Sequence, residues 1–176
     1  MPDDPPFIHP TAIAEPGADI GAGTSVWHHA HVRKGAIVGA DCNLGKNVYV
    51  DADAVVGDRV KVQNNVSIYS GVTLGDDVFV GPSAVFTNDL YPRAASDWQL
   101  TATAVHDGAS IGANATIVAG VTIGRRAMVG AGTVVIADVA PNALVVGNPS
   151  RQIGWVNASG EVISRDITAR PGGLDD

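Results

Sequence analysis

The sequence predicts an all-β protein: a parallel solenoid of triangular cross-section with one extruded loop. Three observations predict it. A branched aliphatic residue recurs every six positions. A small residue recurs four positions after each of these. The composition of the 176 residues is 45% hydrophobic but only 5% aromatic and 16% charged, with 21 glycines. A helical bundle would be rich in Leu, Glu, Lys and Arg, and a disordered chain would hold far fewer apolar residues.

The register starts at Ile8 and runs through Ala14, Ile20, Val26, Val32, Val38, Leu44, Val50, Val56, Val62, Ile68 and Leu74 to Val80, with Phe86 in the next slot. It resumes at Val105 and continues through Ile111, Ile117, Ile123 and Val129 to Val135. Phe86 aside, 18 of these 19 positions are Ile, Leu or Val. The companion column, Ala12 to Ala84 and Ala109 to Val139, contains only Ala, Val, Thr and Cys. Cys42 belongs to it and reads as a small packing residue. A period of six fits neither a 3.6-residue helix nor a two-residue alternation. It fits a short strand plus a turn, three to a coil of 18 residues. Such coils stack at about 4.8 Å and share one continuous core. A little over six coils would stand roughly 30 Å tall. Gly follows the aliphatic in nine of the 19 hexads, where a side chain would crowd the turn.

Residues 88–104 obey no register. A long irregular excursion from a regular scaffold is a usual place for function. The register ends at Val139, and the closing segment 141–156 contains Val146-Gly-Asn-Pro-Ser-Arg151. Residues 1–156 are therefore expected to form one domain. Residues 157–176 read as a hairpin around Ser159-Gly160 followed by a loose tail.

Eleven basic residues against 18 acidic ones give a formal charge of −7. Nucleic acid wants a basic face, so it is not an expected partner. One cysteine rules out a disulfide framework and a cysteine-rich metal site. The opening Met1-Pro-Asp-Asp-Pro-Pro6 lacks the apolar core of a signal peptide. No run reaches the roughly 18 apolar residues of a membrane span. The expected location is cytoplasmic, without membrane attachment.

The 18-residue coil stacks positions on one another. His28, Lys46, Asn64 and Pro82 form one column, and His29, Asn47, Asn65 and Ser83 its neighbour. Asn88 continues Lys34, Ala52 and Ser70 at a different corner. His28, His29 and His31 resemble a metal cluster in composition, because neutral imidazole is a common ligand. Adjacent side chains at a turn diverge, so no metal is expected. His106 is suited by type to deprotonating an acceptor; the plain alternative is an exposed polar residue beside Asp107. Arg33 has a planar fork that suits a carboxylate or phosphate, or it is simply solvated beside Lys34. Asn64 and Asn65 suit sugar hydroxyls, or stabilise turns.

Hexads such as Ile20-Gly-Ala-Gly-Thr-Ser and Val38-Gly-Ala-Asp-Cys-Asn resemble those of hexapeptide-repeat acyltransferases. That resemblance implies a left-handed coil, against the general right-handed preference, and a homotrimer with sites between subunits. It also implies that loop 88–104 reaches beside the next subunit. Longer stretches are similar to the bacterial nucleotide-sugar 3-N-acetyltransferases: Val26-Trp-His-His-Ala-His-Val-Arg33, Val62-Gln-Asn-Asn-Val-Ser67 and Val85-Phe-Thr-Asn-Asp-Leu-Tyr-Pro-Arg93. The first two look like the branch acting on UDP-linked sugar acids. Asn88 to Arg93 looks more like the branch acting on dTDP-linked 3-amino-6-deoxyhexoses.

The resemblance implies acetyl transfer from acetyl-CoA to a C3 amine, with no metal required. Asn88 would contact the amine as a hydrogen-bond acceptor. His31, Arg33, Asn64, Asn65, Tyr91 and Arg93 would hold the nucleotide sugar. Gly120, Arg125, Arg126, Asn148, Pro149 and Arg151 would border coenzyme A; Ser150, between the last two, stands where the family usually has Ala. A free amine is a good nucleophile, so orientation is the main task. Backbone N–H groups would steady the tetrahedral oxyanion. Three alternatives share the prism: an O-acetyltransferase, a zinc hydratase of the γ-carbonic-anhydrase type, and a non-catalytic trimeric scaffold.

Overall fold

A computed structural model describes residues 4–174. Through most of the chain the strands are two or three residues long, and each ends on a register aliphatic. They stack into three sheets, and the molecule is a left-handed parallel β-helix. The first face carries Phe7–Ile8, Ser25–Val26 and Asn43–Leu44; the second, Ile13–Ala14, His31–Val32 and Tyr49–Val50; the third, Asp19–Ile20, Ile37–Val38 and Val55–Val56. Partners are 18 residues apart, as in Ser25 with Asn43, His31 with Tyr49 and Ile37 with Val55. The first face is taller than the sequence predicted, because Ala143–Val146 adds a parallel rung on Met128–Val129. The third face ends in a single bridge from Ile123 to Val139.

The register column from Val26 onward is buried, and so is the small-residue column of Ala30, Ala36, Cys42 and Val48. Cys42 donates its thiol to the Gly57 carbonyl at 3.0 Å, and burial pushes its pKa up. That is an inert packing residue, as expected. Ile8 and Ile20 are only half-buried and Ala14 is exposed, because no described coil lies beneath them. The crowding that selects glycine comes from the neighbouring coil. A Cβ on Gly112 would lie 2.5 Å from the Ala131 nitrogen.

Loop 88–104 leaves at the second corner, between the second and third faces. Pairing across it spans 31 residues instead of 18, as in Leu74 with Val105 and Phe86 with Ile117. The stacking of the later block on the earlier one is thereby fixed. Thr101 N–H donates to the Asn88 carbonyl at 2.9 Å and closes the base of the loop.

At the far end Ala143–Val146, Arg151–Val156 and Val162–Ser164 run antiparallel, and the predicted hairpin turns at Asn157–Gly160. The predicted loose tail does not stay loose. Trp155 is buried and its indole N–H donates to the Asp166 carbonyl at 3.0 Å. Arg170 donates to the buried Asn142 side chain at 3.1 Å, and Leu174 packs on the core. An uncovered last coil would expose its aliphatic column, and these residues cover it. Among the described residues no helix is long and apolar enough to cross a membrane.

Candidate active site

The second corner brings Asn88 into place. Its amide N–H donates to the Ser70 carbonyl at 3.3 Å, while the Ser70 hydroxyl donates to the Ala52 carbonyl at 2.5 Å. The predicted column is real. The bond to Ser70 uses one of the two amide N–H donors, and Oδ1 is the acceptor the side chain has to present. Beyond it, Asp89 Oδ1 accepts from Tyr91 N–H at 2.8 Å. Asp89, Tyr91, Ser96, Asp97 and Gln99 line a polar recess in the loop. Arg93 bonds the adjacent Pro92 carbonyl and stays exposed outside that recess.

Lower on the same corner, Arg33 does not stand as an open anion clamp. It lies 3.5 Å from Glu15 and 3.2 Å from Asp51, and donates to the Tyr49 hydroxyl at 3.3 Å. Tyr49 in turn donates to Asp51 at 2.9 Å. His31 Nε2 meets Glu15 at 2.7 Å. The Glu15 pKa is lowered, first by the Lys34 backbone N–H and then by His31. Burial pushes Asp51 up, but hydrogen bonds from Ala52 N–H, the Tyr49 hydroxyl and Ser70 N–H, with the Arg33 charge, bring it below the ordinary range. Sequence reasoning missed Glu15, Tyr49 and Asp51. The signal was present, since Glu15, Arg33 and Asp51 are 18 apart and alternate in sign.

Asn64 and Asn65 sit at the first corner, away from Asn88. Asn64 Oδ1 accepts from Lys46 N–H at 2.8 Å, and Asn65 Oδ1 from the Asn47 amide at 2.9 Å. Asn65 is left-handed at φ 62°, a conformation Asn tolerates. In this chain both build the corner. Below them His9 and His28 stack at 3.6 Å, and burial, with His28 and His29 nearby, lowers the His9 pKa. Among the described residues no group of three or more His, Cys, Asp or Glu is placed to hold a metal.

His106 is exposed at the third corner, in a groove of about 570 Å³ lined also by Thr122, Gly124, Arg125, Asp138 and Pro141. Arg125 pairs with Asp107 at 3.3 Å. Arg126 is next to it, left-handed at φ 54°. Gly120 lies across the third face, its N–H on the Thr103 hydroxyl at 3.2 Å. The Asn148–Pro149 peptide is cis and caps the second face, where Val134 bonds Gly147 and Ser150. Arg151 opens the antiparallel strand. The six residues expected at coenzyme A thus occupy three places on one chain, and only Arg125 shares the His106 groove.

A triangular left-handed coil of hexads with one extruded loop defines a hexapeptide-repeat transferase architecture. The family description "Bacterial transferase hexapeptide (six repeats)" matches residues 53–88 and 102–137, and "Hexapeptide repeat of succinyl-transferase" matches 35–70. A hexapeptide-repeat-containing acetyltransferase from Vibrio cholerae O1 biovar eltor, solved with acetyl coenzyme A, is 31% identical over 76% of this chain and 70% of its own, with a TM-score of 0.52. The chain belongs to the hexapeptide-repeat acetyltransferases. The acetyltransferase domain of PglB from Neisseria gonorrhoeae, in complex with acetyl coenzyme A, is similar in fold: 24% identity over 84% of this chain, TM-score 0.59. So is a point mutant of GDP-perosamine N-acetyltransferase from Caulobacter crescentus, in complex with CoA and GDP-perosamine, at 22% over 86%, TM-score 0.56. This chain spans 57% of the length of each of these two. No curated protein sequence matches it.

Proposed function

We propose that this chain is an acetyl-CoA-dependent N-acetyltransferase acting on the C3 amine of a nucleotide-linked (UDP or dTDP) 3-amino sugar, in the cytoplasm, as a homotrimer with sites between subunits. The observation that supports the reading is the Asn88 amide at the base of the loop, anchored through one N–H to the Ser70 carbonyl, with Oδ1 as its acceptor atom. An amide oxygen accepts a hydrogen bond from an amine and thereby aims its lone pair, which is the orientation work an amine acceptor needs. A strong base is unnecessary for such a nucleophile. Acetyl-CoA supplies the activated acetyl group as a thioester. Arg125, beside the His106 groove, is a cation suited to one of its phosphates. Tyr91 and Arg93 on the loop would cover the nucleotide.

One observation favours a second reading, O-acetylation. A hydroxyl acceptor does need a base, and His106 lines the larger groove. Release of free thiol from acetyl-CoA separates the two, using UDP-3-amino-glucuronate, dTDP-3-amino-6-deoxyhexoses, their 4-amino isomers and hydroxyl sugars. Turnover with a 3-amino sugar is expected; no turnover of any 3-amino sugar overturns the proposal. Asn88→Ala should lower kcat/KM by roughly 100-fold, a cost typical of lost orientation, while His106→Ala changes it only a few-fold. The reverse pattern would support the hydroxyl reading.

A further inference from the structure

One slot of the hexad is filled differently at each corner. The residue after the register aliphatic is Gly21, Gly39, Gly57 and Gly75 at the third corner. At the second corner the same slot holds Glu15, Arg33, Asp51, Tyr69 and Thr87, and Asn88 follows the last of them. A turn that glycine serves elsewhere does not need charged groups to form. Asp51 is where the bonds of these groups converge. Its Oδ1 accepts from Ala52 N–H at 2.9 Å, from the Tyr49 hydroxyl at 2.9 Å and from Arg33 at 3.2 Å. Its Oδ2 faces Ser70 N–H at 3.5 Å. The side chain is 18% exposed. Burial pushes its pKa up, but these donors bring it below the ordinary range, so the group is ionised at neutral pH.

The rung above belongs to Ser70, whose hydroxyl donates to the Ala52 carbonyl at 2.5 Å and whose carbonyl holds the Asn88 amide at 3.3 Å. Asp51 and Ala52 thus hold Ser70 on two atoms, and Ser70 holds Asn88 with a third. Below, Arg33 passes the column on to Glu15 at 3.5 Å, and Glu15 takes the Lys34 N–H at 2.9 Å. We infer that Asp51 is a positioning residue for Asn88, acting through Ser70, with Arg33 as the counter-charge that keeps the corner neutral beneath the acceptor amine. The inference rests on the proposed amine chemistry and adds to it two residues that act through others. Only a neutral amine attacks a thioester. An uncompensated carboxylate two coils below Asn88, about 10 Å away, would hold a proton on that amine, and an uncompensated guanidinium would drive it off. Paired, the two charges cancel. The other ionisable groups around Asp51 are Tyr49 and Asp53 on its own coil, His31 and Lys34 one coil below, Glu15 beneath them and Tyr69 one coil above.

Kinetics and a spectrum without substrate test it separately. Asp51→Asn should lower kcat roughly 10-fold, the cost of a small misplacement, and leave KM nearly unchanged. The kcat–pH profile reads the amine in the bound complex. Its acid limb should move to lower pH by roughly 0.3 unit in Asp51→Asn, which leaves Arg33 uncompensated, and to higher pH by a similar amount in Arg33→Gln. Lost structure alone would lower kcat at every pH and move no limb. Asp53→Asn is the control: Asp53 is exposed and already at φ 60°, which Asn tolerates, and the change should alter neither kcat nor the limb. Without substrate, the Asn88 side-chain amide resonances, assigned by their loss in Asn88→Ala, should shift in Asp51→Asn and stay in place in Asp53→Asn. That comparison can be made even if no 3-amino sugar is turned over, so it separates this inference from the proposed function. Should Asp51→Asn fail to fold, the displacement of the limb in Arg33→Gln carries the test. An unmoved Asn88 amide, an unchanged kcat, or a loss of kcat with an unmoved limb overturns the inference.

Discussion

Thr133 is the buried residue whose side chain has no hydrogen-bond partner among the described residues. Thr24, in an equivalent slot at another corner, donates to the Gly39 carbonyl at 2.7 Å and accepts from Cys42 N–H at 2.9 Å. Val48 and Val66 fill Thr133's own column lower down. Thr133→Val keeps the shape and removes the unpaired hydroxyl. It should stabilise by about 1 kcal/mol and raise Tm by roughly 2–4 °C in a thermal melt. Asp51 and Glu15 set a pH dependence. Both folded pKa values lie below the ordinary carboxylate range. Their contribution is therefore complete above the unfolded values near ~4 and is lost as pH falls through the folded ones. A Tm series against pH should be flat down to about pH 5 and fall below about pH 4. Asp51→Asn should lower the neutral Tm and flatten the acid limb. The alternation of Glu15, Arg33 and Asp51 was legible in the 18-residue spacing. That both carboxylates bracket Arg33 was not, because side-chain direction at a corner depends on the turn.

At the scale of elements, strands of two residues have little intrinsic stability and depend on stacking. Gly112 and Gly132 separate two kinds of glycine. Gly112→Ala would press a Cβ against the backbone of the next coil, at a cost of about 1–3 kcal/mol. Gly132 has open space around it but sits at φ +69°, so Gly132→Ala would cost about 1–2 kcal/mol from backbone strain alone. Urea unfolding of the two variants checks both values. The end cap is an element the register did not announce. Removing residues 165–176 deletes the partners of Trp155 and Asn142 and uncovers the last coil. Tm should fall and a hydrophobic dye should bind; an unchanged melt would contradict the capping role. The tail looked loose in sequence because it is polar and irregular. Its hold depends on a few long-range contacts, which leave no periodic trace.

For the whole molecule, the order of residues was enough to dictate the prism, its hexad register, the burial of both columns from the second coil upward, the place of the loop and the ladder at Asn88. These follow from a period, and a period survives without coordinates because each coil repeats one cross-section. Folding in three dimensions set the 31-residue step across the loop, the engagement of Arg33, Asn64 and Asn65 within the scaffold, and the scatter of the expected coenzyme contacts over three places. Those are matters of which corner a residue occupies and what lies one coil away. A linear chain does not state them until an insertion's length and each turn's handedness are fixed in space.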